Sequence, residues 1–357
     1  MSGGVDSSVA AALLCRAGYE VHGVFMSLDG RGSGRAPSPP AGPDSAARVA
    51  EQLGVRFSVL DLSEQFAPII DYFVAEYAAG RTPNPCVHCN ARLKFGSLLE
   101  HADSLGAMYL ATGHYARLVG APQRDAPCRE PLAGPAGPAV ARARSRMKDQ
   151  SYVLFGVARA SLGRIMLPLG EMAGKDEVRR LARQLGLAAH DRPDSQEICF
   201  VPDDDYVSLL RSRNPRALRD GSIVDSAGRE LGRHEGYARY TIGQRRGLRV
   251  AAGVPMYVTD IDPAEARVTI GPRSEVMSRR LRASRANWHR DVAGSFQATV
   301  QIRYRHEGAP GRVTVTEGGF EVEFDSEVSA VTPGQAAVIY DDDLVVGGGW
   351  IEGKWGL

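Results

Sequence analysis

Ser2-Gly3-Gly4-Val5-Asp6-Ser7-Ser8 leads straight into the apolar run Val9-Ala10-Ala11-Ala12-Leu13-Leu14. Adjacent glycines let a backbone close around phosphate oxygens, because no Cβ blocks the approach. The first N–H groups of the following helix point at the same anion, and the helix dipole favours negative charge there. Ser2, Ser7 and Ser8 add hydroxyl donors. Asp6 is out of place in an anion site unless its carboxylate holds a Mg²⁺ that the phosphates share. The stretch lacks the Gly-Lys-Ser/Thr ending of a Walker loop. A Gly/Ser turn that merely caps a helix is the alternative; the whole string ahead of an apolar helix favours a nucleotide site.

Outward from this stretch, residues 1–115 alternate strand and helix signals. Val21–Met26, Phe57–Leu62 and Met108–Ala111 read as short strands. Asp44 or Ser45 reads as the cap of a helix with Ala46, Val49, Ala50 and Leu53 on one face, stopped at Gly54. This pattern predicts an α/β, Rossmann-like domain whose parallel sheet carries helices on both faces. Such sheets bind ligands beyond the carboxyl ends of their strands, which would gather the opening loop, Met26 and Gly113. A further helix over Lys175–Leu185 buries Val178, Leu181, Ala182 and Leu185 and ends at Gly186. Residues 30–43 and 120–141, rich in Gly, Pro and Ala, read as surface loops. Beyond about residue 205, β-like runs recur between turn residues: Met256–Ile261, Val268–Ile270, Phe296–Tyr304, Val313–Thr316, Phe320–Phe324, Ala337–Tyr340 and Leu344–Val346. Their spacing predicts two small antiparallel barrels. The expected division is 1–205, 206–275 and 276–357.

The 357 residues suffice for two or three domains, and 43% are hydrophobic, enough for sizeable cores. With 43 basic against 42 acidic residues, any nucleic-acid site must be a local patch. Two stretches qualify: Arg211–Arg249 holds ten arginines against four acids, and Arg279–Arg290 holds five arginines and no acid. Such runs neutralise phosphates, although arginine runs are also common on ordinary solvated faces. No apolar run reaches the length of a membrane span, and no basic-then-apolar leader opens the chain. A soluble cytoplasmic protein is expected.

Five cysteines are present: Cys15, Cys86, Cys89, Cys128 and Cys199. An odd number without a leader argues for thiol, metal or redox chemistry rather than a disulfide framework. Cys86 and Cys89 form a CxxC within Arg81-Thr82-Pro83-Asn84-Pro85-Cys86-Val87-His88-Cys89-Asn90, where the prolines predict a shaped loop. A structural zinc site would need two more ligands, and no second CxxC exists. A thioredoxin-like pair lacks its fold pattern. A reactive-thiol site needs a distant partner, for which Cys199 in Asp194-Ser195-Gln196-Glu197-Ile198-Cys199-Phe200 is the candidate; its apolar neighbours equally suit a buried, inert thiol. Cys15 reads as packing and Cys128 as incidental. An enzyme that splits ATP can use thiols when ATP adenylates an oxygen and a sulfur nucleophile then displaces AMP. A cysteine persulfide carries such a sulfur, and a second thiolate releases it by exchange.

The opening stretch resembles the PP-loop, SGGxDS, of enzymes that cleave ATP between its α- and β-phosphates. Together with Thr82–Asn90, Ala111-Thr112-Gly113-His114-Tyr115-Ala116, Lys148-Asp149-Gln150-Ser151-Tyr152, Asp194–Phe200 and Tyr240-Thr241-Ile242-Gly243-Gln244-Arg245-Arg246-Gly247, in that order, the chain resembles the bacterial tRNA-specific 2-thiouridylases, the MnmA (TrmU) family, from residue 2 to Trp350. The resemblance implies thiolation at C2 of the wobble uridine of the tRNAs for Lys, Glu and Gln. It implies ATP and Mg²⁺, an adenylated tRNA, and AMP plus pyrophosphate as products. Cys199 would carry the persulfide and Cys89 would be the nucleophile, the two ending as a transient disulfide. Ser2, Gly3, Gly4, Val5, Asp6 and Ser7 would hold ATP with Met26 and Gly113. Asp6 would reach Mg²⁺ through the nucleotide. Asn84, Pro85 and Cys86 would meet the target base. His114, Lys148, Asp149, Gln150, Arg303, Tyr304 and Gln335 would contact tRNA. A cysteine desulfurase or a sulfur-relay protein is the expected donor, and no membrane partner is expected. The family carries a short strand ahead of the loop, whereas Met1 abuts Ser2 here; either the start lies upstream or the sheet lacks that strand. Cys86, Cys89 and Cys199 could alternatively ligate a [4Fe–4S] cluster. Other PP-loop enzymes form C–N bonds without paired cysteines, and a non-catalytic tRNA-binding or iron–sulfur sensor protein would release no pyrophosphate.

Overall fold

The computed structural model describes residues 1–28, 42–120, 137–187, 198–201 and 205–354. Cys128 and Asp194–Glu197 therefore lie outside the described residues, as does most of both Gly/Pro/Ala-rich segments. The chain divides into two units: Met1–Pro68, Val87–Gln196 and Asp343–Val346 form one, and Ile69–Cys86, Glu197–Asp342 and Gly347–Leu357 the other.

The first unit begins with α1 (Val5–Arg16), whose N-cap is Gly4. Ser7 and Ser8 turn their hydroxyls back onto the Gly4 carbonyl at 3.1 and 2.9 Å. Val9, Ala10, Ala11 and Ala12 are all buried, so α1 is a core helix with no wet face beyond its ends. Strand β1 (His22–Ser27) follows, then α2 (Pro43–Leu53) and β2 (Arg56–Asp61). β1 and β2 pair in parallel, with Phe25 opposite Val59. Neither Asp44 nor Ser45 caps α2. Gly42 is the N-cap and Pro43 fills the first position, where its missing N–H is no loss. Gly54 closes the helix with φ +66°, as expected.

Helix α3 (Ser63–Ala78) runs from this unit into the second. The CxxC segment is not a loop. Pro85–His88 forms one helical turn, α4, which continues as a π-helix over Cys89–Ser97 and then as α5 (Leu98–Ser104). Both prolines lie at or before the first helical turn, where they start a helix rather than break one. Strand β3 (Leu110–Ala111) precedes the hairpin of β4 (Ala116–Val119) and β5 (Ala139–Arg142), so the expected loop 120–141 ends in a strand. β3 pairs in parallel with β6 (Ile165–Met166). Helix α6 (Lys175–Gln184) buries Val178 and Ala182, and with α1 and α2 it shares a core containing Val9, Val49, Tyr115 and Leu169.

In the second unit, α7 (Tyr206–Arg213) leads to β7 (Gly221–Asp225), β8 (Glu230–His234), β9 (Tyr257–Asp262) and β10 (Arg267–Gly271). They form a sheet in the order β8-β7-β10-β9. β7 and β10 run parallel, so this sheet is mixed rather than wholly antiparallel. Its apolar face packs with Val74, Leu210 and Tyr237, and Tyr77 stacks on Tyr206 at 4.7 Å between ring centroids.

The remaining strands are β11 (Met277–Trp288), β12 (Ser295–Gln301), β13 (Ala309–Thr316), β14 (Gly319–Ser329), β15 (Ala336–Asp341) and β16 (Leu344–Gly353). They close a six-stranded barrel in the order β11-β14-β13-β12-β15-β16, with β16 returning to β11. β12 stops at Gln301, short of the expected Tyr304, because the Gln301 side chain donates to the carbonyls of Arg303 and Tyr304 and fixes a turn. The arginines of β11 are not a free basic patch. Arg280 and Arg282 face Glu323 and Glu321 directly across the ladder and pair with them at 3.0 and 2.6 Å. Arg290 pairs with Asp341 at 2.8 Å, and the Arg285 guanidinium lies over the Trp350 ring. Cross-strand pairs of opposite charge stabilise a ladder by a few tenths of a kcal/mol.

Candidate active site

The opening loop is tightly folded against helix α2. Gly3 takes φ +75°, and a Cβ there would sit 3.0 Å from Ser45 Cβ. Ser2 N–H donates to Ser7 Oγ at 3.1 Å, and Gly4 N–H donates to Ser2 Oγ at 3.3 Å, so the two serines close the loop on itself. The Met1 amine donates to the Val24 carbonyl and ties the loop to β1, whose end carries the half-buried Met26.

Gly113 follows β3 and lies against the first turn of α1. A Cβ on it would meet Asp6 C and Ser7 N at 2.9 Å, both of them backbone atoms. Gly113→Ala is therefore expected to push the loop out of shape. The expected result is a KM for ATP about tenfold higher and a stability about 1–3 kcal/mol lower, read by AMP formation at varied ATP and by thermal unfolding.

Asp6 accepts from the Tyr115 hydroxyl at 2.7 Å through Oδ1, and its Oδ2 is 2.7 Å from Lys175 Nζ. Lys175 is only 9% exposed and is the first residue of α6. The sequence reading assigned Lys175 no chemistry. The available signal was its position: a cation on the first turn opposes the helix dipole, and the cost is offset here by the Asp6 carboxylate.

The thiols fall in both units. Cys89 opens the π-helix in the first unit; burial pushes its thiol up, and the charge of Lys94 acts in the opposite direction. Asn90 is buried and donates to the Val153 carbonyl at 3.1 Å, which anchors the start of this helix. In the second unit, Cys86 and Cys199 are exposed. The backbone leading to Cys86 is clamped: Thr82 N–H donates to the Pro333 carbonyl at 2.9 Å. Gln335 Nε2 donates to the carbonyls of Thr82 and Pro83 at 3.1 and 3.2 Å. Arg81 pairs with Glu76 and Glu352 at 2.8 and 3.0 Å. Gln335, expected at tRNA, thus positions the Thr82–Cys86 segment. Among the described residues no group of three or more His, Cys, Asp or Glu side chains gathers as a metal site.

Several residues expected at tRNA are engaged internally. His114 is buried, and burial, reinforced by the charge of Lys94, holds its imidazole well below the usual range. Asp149 is buried and accepts from Ala143 N–H at 2.8 Å, Ser151 N–H at 3.2 Å and Ser151 Oγ at 2.8 Å, with Arg142 at 3.4 Å. Gln150 exchanges two hydrogen bonds with the Tyr115 backbone, at 2.7 and 2.9 Å. Lys148 is half-buried, while Arg303 and Tyr304 are exposed at the turn after β12.

A family model described as "tRNA methyl transferase HUP domain" matches residues 1–203. The "tRNA methyl transferase PRC-barrel domain" matches 210–272, and the "Aminomethyltransferase beta-barrel domain" matches 278–351. A tRNA-specific 2-thiouridylase MnmA of Roseiflexus castenholzii is 46% identical over 98% of this chain and 97% of its own length. That of Syntrophotalea carbinolica is 45% identical, with the same coverage of both. That of Carboxydothermus hydrogenoformans is 45% identical over 99% of this chain and 96% of its own. With this identity along nearly the whole chain, the protein belongs to the family of tRNA-specific 2-thiouridylases.

Proposed function

We propose that this chain is a tRNA-uridine 2-sulfurtransferase that uses ATP to replace the C2 oxygen of the wobble uridine by sulfur. The observation that carries the reading is a glycine- and serine-built loop with a lysine-paired aspartate in the same chain as a half-buried thiol and an exposed one. Methyl transfer would need neither the nucleotide loop nor the thiols.

ATP seats its phosphates on the Gly3–Ser7 backbone and the hydroxyls of Ser2 and Ser7, with Val5, Met26 and Gly113 beside the nucleotide. Asp6 offers the hard oxygen that Mg²⁺ prefers, and the ion would offset phosphate charge. Lys175 adds a positive charge beside that carboxylate. The target uridine, flipped from a single-stranded loop at small cost, meets Asn84, Pro85 and Cys86. The clamp from Gln335 keeps that backbone ready. Lys148, Arg303 and Tyr304 face the tRNA, whereas His114, Asp149 and Gln150 act through the segments they hold.

The uridine O2 attacks the α-phosphate and pyrophosphate leaves. The outer sulfur of a Cys199 persulfide then bonds to C2, and AMP leaves with the oxygen. The Cys89 thiolate attacks Cys199 Sγ. The bond from Sγ to the transferred sulfur breaks, its electron pair stays on that sulfur as the C2 thione, and a Cys89–Cys199 disulfide remains. A thiol reductant and a cytoplasmic sulfur donor, a desulfurase or relay protein, restore the persulfide. No helix among the described residues is long and apolar enough to cross a membrane.

Nucleoside mass spectrometry of tRNA incubated with the protein, ATP, Mg²⁺, a thiol reductant and a cysteine desulfurase with cysteine as the sulfane-sulfur donor tests this reading. 2-Thiouridine with matching AMP is the expected result. AMP without 2-thiouridine would assign the chain another PP-loop reaction.

A further inference from the structure

The π-helix that begins at Cys89 has a chemical consequence. In an α-helix, residues three and four apart share a face. In a π-helix the hydrogen bond closes from residue i to i+5, and its wider turn brings residues five apart nearer to one face than an α-helix does. Cys89 and Lys94 are five apart, and both lie within this π-helix. An α-helix over the same residues would turn Lys94 away from the thiol.

Lys94 is held at its other end. Its Nζ lies 3.4 Å from His114 Nε2, and His114 Nδ1 lies 2.8 Å from Thr112 Oγ1. The buried imidazole is neutral, so Nε2 accepts from the ammonium while Nδ1–H donates to the threonine. The Phe95 ring lies 5.9 Å from the imidazole and helps fix its plane. The elements packed on the π-helix, α5 and the Ser151–Leu154 turn, carry Glu100, His101, Asp103 and Tyr152, and His88 precedes the thiol. The charge that acts on the Cys89 thiol is that of Lys94.

We propose that Lys94 is a positioning residue that keeps Cys89 reactive, supplying the positive charge that sustains its thiolate, with the His114–Thr112 pair fixing the ammonium in place. The proposal rests on the reading of Cys89 as the thiol that releases the sulfur. A thiolate beside a lysine forms at lower pH and attacks disulfide sulfur faster at neutral pH.

The test is iodoacetamide alkylation of the full chain from pH 6 to 10, with Cys89 and Cys86 followed in the same digest by peptide mass spectrometry. Lys94→Met is expected to slow Cys89 alkylation about tenfold at pH 8 and to move its midpoint up by about one pH unit. Cys86 should be unaffected, and Lys94→Arg should keep most of the wild-type rate. Lys94→Gln, polar and of similar length, should behave like Lys94→Met and serves if the methionine variant does not fold. An unchanged Cys89 midpoint in a folded variant, or an equal slowing of both cysteines, overturns the proposal. The thiolation assay on Cys89→Ser judges the releasing role separately: full activity there would remove that role while the alkylation profile still decides what Lys94 does.

Discussion

Cys199→Ser is expected to abolish 2-thiouridine formation, by more than about a thousandfold, because a hydroxyl cannot carry a persulfide sulfur. The adenylation half of the reaction uses none of this side chain, so one round of pyrophosphate release with adenylation of added tRNA should persist within a few-fold, while AMP release falls with thiolation. Both halves are measured in one tube, by nucleoside mass spectrometry and by pyrophosphate release. Cys199 is exposed, as a thiol reloaded by a separate donor protein must be. Normal thiolation by Cys199→Ser would mean that the sulfur travels another way. Loss of pyrophosphate release along with thiolation would mean that the substitution damages the fold instead.

Lys175→Met should have the second largest effect. The lysine is almost fully buried and is bonded to Asp6 Oδ2 at 2.7 Å, while Tyr115 occupies Oδ1. Methionine keeps the aliphatic packing but leaves the carboxylate uncompensated beside the incoming phosphates. A charge placed where phosphate charge shifts in the transition state contributes several kcal/mol. AMP formation is expected to fall about a hundredfold, equivalent to about 2.7 kcal/mol. Lys175→Arg should recover part of it, since its planar fork cannot take the place of a compact ammonium. AMP formation within threefold of wild type in the Met variant would show that Lys175 serves packing alone.

How far the sequence reading reached follows from the range of the interactions. The phosphate loop was legible because its glycines and hydroxyls are consecutive and feed one helix. β1, β2 and α6 were legible because their apolar periods are local. The pairing of Lys175 with Asp6 spans 169 positions, and no local pattern announces it. β11 was missed because Arg280 and Arg282 read as a basic run; only the register against Glu321 and Glu323 turns them into ladder pairs. The parallel contact of β7 with β10 was hidden for the same reason, since turn signals between neighbouring runs suggest hairpins. The CxxC was read as a loop from its prolines, yet both stand where a helix tolerates them. Nothing in residue propensities distinguishes the π-helix that follows from an α-helix. Gln335 was assigned to tRNA by resemblance, and only the fold shows its amide clamping the carbonyls of Thr82 and Pro83.

The central claim is that the sulfur leaves the protein from Cys199 and that Cys89 closes behind it. The most direct measurement is a single turnover with ³⁵S-persulfidated protein, free sulfide removed, followed by ATP, Mg²⁺ and tRNA. The account predicts that the label moves to C2 of the wobble uridine with AMP released in equal amount, and that peptide mapping then finds Cys89 joined to Cys199. Label that stays on the protein while AMP is formed, or label that moves without ATP, would contradict it.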